Sequence, residues 1–175
     1  ELPRIPRVKT FSDFNAFSDA GRKLADLHIN YEEVEKYPVK FSGTLKHDGN
    51  DFVSASSTDF YVTKMKHPKK IDEETGKRVD DLSKIIYNGK ITLEGIPEEA
   101  YDYVVNSKSA IAWVMERQAV TTHKASGISN DANDWAIETM GNPKYPLELL
   151  QRVITVSLET MKIVNNLPKL DLKKA

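Results

Sequence analysis

Apolar residues first recur at Phe14, Phe17, Leu24 and Leu27, with Ala20 between them. That spacing marks one face of a 3.6-residue period. It predicts a helix over about 11–29, capped by Thr10 or Ser12, whose hydroxyl can accept from an orphan amide of the first turn. The aromatic face of this helix reads as core, not as a base-stacking platform. Before it, residues 1–9 carry two prolines and three basic residues and read as an extended lead-in. After it, Tyr37 to Leu45 reads as a short strand, and 46–58 reads as a loop opening His47-Asp48-Gly49-Asn50. The β-branched and aromatic run Phe60–Met65 predicts another strand. Residues 66–83 are polar, contain Pro68 and Gly76, and suggest a long hairpin connection. Ile85–Tyr87 and Lys90–Leu93 predict two strands, with Asn88-Gly89 between them as a two-residue hairpin turn.

Past Gly95 the pattern turns helical. Pro97 followed by Glu98 and Glu99 predicts a helix start, because proline fits the first turn and acids complement the dipole. Asn106 or Ser107 is expected to end that helix and cap the next. The next runs to about Gln118 with Ala110, Ile111, Val114 and Met115 as its apolar face. Residues 121–134 read as a loop containing Gly127, with a short helix around Trp135 and a breaker at Gly141-Asn142-Pro143. A last helix is predicted over about 146–166 and stopped by Pro168. Its polar residues Glu148, Gln151, Arg152, Thr155, Glu159, Lys162 and Asn166 trace one narrow stripe, so other elements should cover most of its circumference. The fold class these elements imply is α+β: a small antiparallel sheet with hairpins, four to five helices, and a long C-terminal helix. Residues 10–168 form one domain in this reading, followed by a charged tail at 169–175.

Composition narrows the chemistry. The 175 residues suit one domain, and the formal net charge is −1. Contact with nucleic acid therefore has to come from a local patch of Lys and Arg, not from the whole surface. The absence of cysteine removes disulfides and thiolate metal sites. Apolar runs are too short to span a membrane. The N-terminus, Glu1-Leu2-Pro3-Arg4, has no initiator Met and no signal-peptide pattern, and reads as a chain entered midway. The eight glycines never occur as Gly-x-Gly, so neither a Walker loop nor a dinucleotide fingerprint is present. An adenine-methyltransferase Asn/Asp-Pro-Pro-Tyr/Phe motif and a Gly-x-Ser-x-Gly elbow are also missing. Ser129–Trp135 is a poor calcium loop. An EF-hand from Asp131 would put Trp135 where an oxygen ligand belongs and Asn142 where a Glu belongs, and a loop held by its own Asx turns is the better reading. His28, His47, His67 and His123 lack metal-ligand spacing. The acid pairs, such as Glu32-Glu33 and Asp80-Asp81, read as solvated surface.

One electrostatic feature stands out. Residues 64–90 hold eight basic residues against five acidic ones, with the bases gathered at Lys64–Lys70. A strand pair leading into a basic loop can reach phosphates, and its tip can enter a groove. The candidate DNA contacts are Lys64, Lys66, His67, Lys69, Lys70, Lys77, Arg78, Asn88 and Lys90. The bland alternative is a solvated hairpin whose lysines guard an exposed edge. Base reading is expected from loops 46–58 and 66–83.

Five ordered segments carry a resemblance. They are Pro3-Arg4-Ile5-Pro6 with Gly21–Glu32 (GRKLADLHINYE); Ile85–Asn88 with Ile91–Ala100; Tyr103–Val114; Ala125–Asp131; and Arg152–Ser157. Together they resemble the C-terminal target-recognition domain of Type ISP restriction-modification enzymes. Ser107 stands where that pattern commonly has Gly, Ala112 where it has an acid, Gln118 where it has Tyr, and Ala132 where it has Pro. The resemblance implies a large bacterial single-chain parent with a nuclease, an ATP-driven helicase-like motor, an adenine-N6 methyltransferase and this recognition domain. It implies double-stranded DNA and the parent's own methyltransferase and motor domains as partners, a cytoplasmic location and no membrane. ATP, Mg and S-adenosylmethionine would serve the parent; no cofactor and no catalysis are expected of this fragment. The competing reading is a structural lobe that docks the motor or methyltransferase and touches DNA little. An independent enzyme is the remote third.

Overall fold

The computed structural model describes residues 8–49, 51–53 and 55–169, so most of the expected lead-in and charged tail lies outside the described residues. Helix α1 (Phe11–Ile29) is capped as the sequence predicts, with Asp13 N donating to Thr10 Oγ1 at 3.0 Å. Its aromatic face, however, is not core. No α1 residue is fully buried, and Phe11 and Phe14 stay 77% and 55% exposed. The helix packs chiefly on the C-terminal helix, which covers Phe17, Leu24 and Leu27 in part, and its His28 Nε2 lies 2.9 Å from Tyr103 Oη.

The chain then forms β1 (Lys40–Gly43) and a two-residue-strand hairpin of β2 (His47–Asp48) and β3 (Asp51–Phe52) inside the predicted 46–58 loop. A 3-10 turn covers Ser57–Phe60. The polar 66–83 stretch is a ribbon of its own, β4 (Lys69–Ile71) against β5 (Arg78–Asp80). β6 (Lys84–Ile86) and β7 (Ile91–Glu94) follow, and β7 is the centre of an antiparallel sheet of order β1-β7-β6. Alternation fits a half-buried sheet: Ile85, Ile91 and Leu93 are buried and their neighbours are not. A 3-10 turn at Glu98–Tyr101 precedes a hairpin of β8 (Val104–Val105) and β9 (Lys108–Ser109), then α2 (Ala110–Arg117). A further ribbon, β10 (Thr121–Thr122) against β11 (Ser129–Asn130), leads to α3 (Ala132–Glu138) and α4 (Tyr145–Asn165). The class is the expected α+β with a long last helix. One core joins the sheet residues to Leu147, Leu150 and Ile154 of α4, all fully enclosed.

Four local expectations need correction. The helix expected after Pro97 is only a 3-10 turn, and Asn106 and Ser107 neither end nor cap a helix. They take φ of 50° and 66° and make the turn between β8 and β9. Two consecutive positive φ values are what a tight hairpin of this hand needs. The α2 cap is Ser109, whose Oγ accepts from Ala112 N at 3.2 Å. At Asn88-Gly89 the two-residue turn gives way to a three-residue loop, because Tyr87 pairs with Ile91 and neither Asn88 nor Gly89 takes positive φ. Asn88 Oδ1 instead accepts from Lys90 N and Ile91 N at 2.8 and 2.9 Å. The polar stripe of α4 is covered in its first half by the chain ahead of β1. Gln151 is buried and its amide donates to Tyr37 O at 3.1 Å, while Thr155 Oγ1 donates to Glu35 O.

The fourth correction concerns Phe60–Met65. The run leaves the 3-10 turn at Phe60 and buries Phe60, Val62 and Met65, yet it joins no ladder as a strand. Side chains satisfy its backbone instead. Asn133, 4% exposed, accepts from Val62 N at 2.8 Å and donates to Val62 O at 2.9 Å. Asn88 Nδ2 donates to Asp59 O and Tyr61 O at 2.9 and 3.0 Å, and Tyr87 Oη donates to Phe60 O at 2.7 Å. Burial pushes the Tyr87 phenol far above its ordinary pKa, so it remains a donor. Main-chain bonds add to these: Tyr61 N donates to Thr58 O at 3.3 Å, and Val120 N donates to Thr63 O at 3.0 Å.

Asn133→Ala should therefore cost about 1–3 kcal/mol in urea unfolding, since it orphans a buried N–H and C=O at once. Asn133→Asp, which keeps one acceptor and loses the amide donor, should also destabilise. Gly43→Ala should destabilise for another reason. Its φ is 126°, and a Cβ there would sit 2.2 Å from Lys90 O, which accepts from Thr44 N and Leu45 N. A Gly43→Ala protein melting like the parent would contradict this close approach.

Candidate nucleic-acid interface

The β4–β5 ribbon is where the sequence concentrates charge. Its tip is closed by one carboxylate: Asp72 Oδ1 accepts from Thr75 N at 2.7 Å and from Thr75 Oγ1 at 2.6 Å. Gly76, at φ 67°, donates its N–H to Asp72 O, and Asp72 N donates to Lys77 O. The Thr75 hydroxyl and amide hold the Asp72 carboxyl below its ordinary pKa. Along the strands the register places Lys69 opposite Asp80, and they pair at 2.9 Å. Lys70 lies 3.8 Å from Asp81, and Lys84 lies 3.1 Å from Glu94. Beside these lysines and Ser42 or Ser83, the carboxyls of Asp80, Asp81 and Glu94 are likewise held low.

The nine sequence-predicted contact residues thus divide. Lys64, Lys66, Lys77 and Arg78 are exposed and make no ion pair among the described residues. Lys69, Lys70 and Lys90 are paired, the last with Asp59 at 2.6 Å. His67 is half-buried beside Tyr101; its Nδ1 donates to Lys84 O at 2.8 Å, which leaves Nε2 as the open ring atom. Asn88 has both its donor and its acceptor committed to the backbone around it. Among the described residues no cluster of three His, Asp or Glu is placed to hold a metal. Asp131, the start of the rejected calcium loop, caps α3 and accepts from Tyr61 Oη at 2.7 Å.

A second ribbon lies where the sequence suggests only a loop. In β10–β11 the tip repeats the first tip bond for bond. Gly127 N donates to His123 O and His123 N donates to Ile128 O, both at 2.8 Å, with Gly127 at φ 69°. The residue that closes it is an imidazole in place of a carboxylate: His123 Nδ1 accepts from Ser126 N at 3.3 Å and lies 2.8 Å from Ser126 Oγ. The signal was present in the sequence as Thr75-Gly76 and Ser126-Gly127, each a hydroxyl residue directly before a glycine.

The sequence pattern of the Type ISP C-terminal specificity domain matches residues 1–149. The chain belongs to this family. Solved structures agree with the specificity-domain assignment. LlaGI, a Type ISP restriction-modification enzyme solved as a nuclease-deletion mutant with a DNA substrate mimic, is 38% identical with a TM-score of 0.76; the match covers 99% of this chain and 14% of that one. LlaBIII, an ATP-dependent Type ISP restriction-modification enzyme bound to DNA, is 36% identical with a TM-score of 0.75, covering 98% and 10%. The DrdV–DNA complex matches at 28% identity and a TM-score of 0.64, covering 98% and 16%. The chain therefore spans between 10% and 16% of the length of these relatives. Among curated proteins none matches the chain.

The Lys90–Asp59 pair gives a pH prediction. Lys90 and the Ser56 amide and hydroxyl hold the Asp59 carboxyl down at about 2. A depressed carboxylate stabilises the fold above its unfolded pKa of about 3.9, and the stabilisation is lost as pH falls through the folded value. In thermal melts the gap between the parent and Asp59→Asn should be constant above about pH 5 and close as pH falls toward about 2. A gap that does not change over that range would contradict the pairing.

Proposed function

We propose that this domain reads a DNA target site within a single-chain restriction-modification enzyme. The observation that carries the reading is the family match together with LlaGI and LlaBIII, similar over nearly the whole of this chain and solved with a DNA mimic or DNA. The physical support is the exposed, unpaired set Lys64, Lys66, Lys77 and Arg78 on and beside the β4–β5 ribbon. Such cations position a duplex through its phosphates, and neighbouring loops then meet base edges. On this reading the fragment makes and breaks no bonds. Nuclease, motor and adenine-methyltransferase chemistry, with ATP, Mg and S-adenosylmethionine, belongs to the rest of a cytoplasmic parent chain whose methyltransferase and motor domains are its intramolecular partners.

A second reading has its own observation. The α1 helix leaves Phe11, Phe14 and Ile29 exposed, and an open groove of about 620 Å³ runs between it and the end of α4, where Ala16, Ala20, Leu27 and Ile163 lie among charged residues such as Asp19, Lys23, Glu159 and Lys162. A surface of that kind suits packing against another domain. The two readings are compatible if α1 docks while the ribbons face DNA.

The test uses the intact enzyme. Replacing Lys64, Lys66 and Arg78 together by Ala should weaken duplex binding and lower the salt slope by about 0.9 per lost phosphate contact. Unaltered binding and site-specific methylation would leave only the docking role. Exchanging 46–58 and 66–83 for those of a relative with another site should shift the methylated sequence; an unshifted sequence would remove base reading from these loops.

A further inference from the structure

The β10–β11 ribbon differs from β4–β5 in one respect that matters for a polyanion. Residues 69–80 hold four basic and four acidic side chains, whereas 121–130 hold Lys124, His123 and no carboxylate. All four strand residues of β10 and β11 are exposed, and Lys124 makes no ion pair among the described residues. Because His123 Nδ1 accepts from Ser126 N, the neutral ring carries its proton on Nε2, an unused donor. Ser126, Ser129 and Thr122 add hydroxyls, which are among the groups that touch DNA phosphates; Thr122 and Ser129 lie 3.2 Å from each other and Ser126 lies 2.8 Å from His123.

The root of this ribbon stands between two clefts that share Glu116 and Thr121. One, of about 600 Å³, lies against the segment leading into β4 and carries Lys64 and His67; its single acid, Glu116, is held by Lys108. The other, of about 670 Å³, carries Glu116, Asp131, Asp134 and Glu138 against Arg117 alone. A phosphate chain is attracted to the first and repelled by the second. The ribbon tip lies three residues beyond Thr121, so it reaches about 10 Å from the root at roughly 3.3 Å per residue.

Building on the DNA-recognition reading, we infer that the β10–β11 ribbon grips the sugar-phosphate backbone from the Lys64 side. Lys124 and the His123–Ser126 tip make contacts that carry no sequence information, and the acidic cleft faces away from the duplex. The two ribbons flank the Lys64 cleft as paired prongs, held together by the bond from Val120 N to Thr63 O.

The experiment measures affinity of the intact enzyme for cognate and unrelated duplexes across a salt series, for Lys124→Ala, Lys124→Glu, Lys64→Ala and the acidic-cleft pair Asp134→Asn with Glu138→Gln. Lys124→Ala should weaken both duplexes by the same factor and flatten the log–log salt slope by about 0.9, with Lys124→Glu weakening them further. The acidic-cleft pair should leave the slope unchanged. Unchanged binding in both Lys124 variants alongside loss in Lys64→Ala would overturn the second prong while keeping DNA recognition by this domain. Altered preference between duplexes in Lys124→Ala would also overturn it, since the residue would then be reading bases. Unchanged binding in every lysine variant would overturn the functional reading itself.

Discussion

Buried main-chain groups without a ladder must find other partners, and in this domain residues 59–63 set that requirement. The segment is drawn inward because Phe60, Val62 and Met65 belong to the core, and burial of that much apolar surface is strongly favourable. Its carbonyls and amides go inward with it. Asn133 from α3, Asn88 and Tyr87 from the β6–β7 loop, and Val120 from the α2–β10 junction answer them. Those partners come from three separate parts of the chain. One set of hydrogen bonds thereby joins the sheet, α3 and the roots of both long ribbons.

The position of the ribbons follows from that junction. The β4–β5 ribbon leaves the core a few residues after Met65, and β10–β11 leaves it directly after Val120. With Thr63 and Val120 bonded to each other, the two cannot separate without exposing unsatisfied backbone. Similar tips then carry different charge, one closed by Asp72 and the other by His123. A domain with net charge −1 can in this way present a locally positive cleft, because Lys64 and His67 line it and its one acid, Glu116, is held by Lys108.

The α1 helix shows the opposite arrangement. Its cap and its spacing are regular, but it has little besides α4 beneath it, so Phe11 and Phe14 are left exposed. The same spacing that marks a helix cannot tell whether the surface completing its burial lies in this domain or outside it.

Much of this architecture was written in the sequence. The Thr10 cap and 3.6-residue spacing place α1, the apolar run broken by Pro168 places α4, and the β-branched pairs around Tyr87 place β6 and β7. The ordered segments from Gly21 to Ser157 carry the family. Those features are local or periodic, and local sterics and one-sided burial are enough to decide them. What the fold alone decided is the pairing. A β-rich run such as Phe60–Met65 reports that alternate side chains turn inward, and says nothing of whether its backbone meets a strand or the amide of Asn133. Val104-Val105-Asn106-Ser107 could continue a helix or turn a hairpin until the left-handed φ of both turn residues is allowed by their surroundings. Which lysines remain free for a ligand depends on cross-strand register, as with Lys69 and Asp80. A hydrogen bond or ion pair needs two partners in space, and distance along the chain does not reveal which residues meet there.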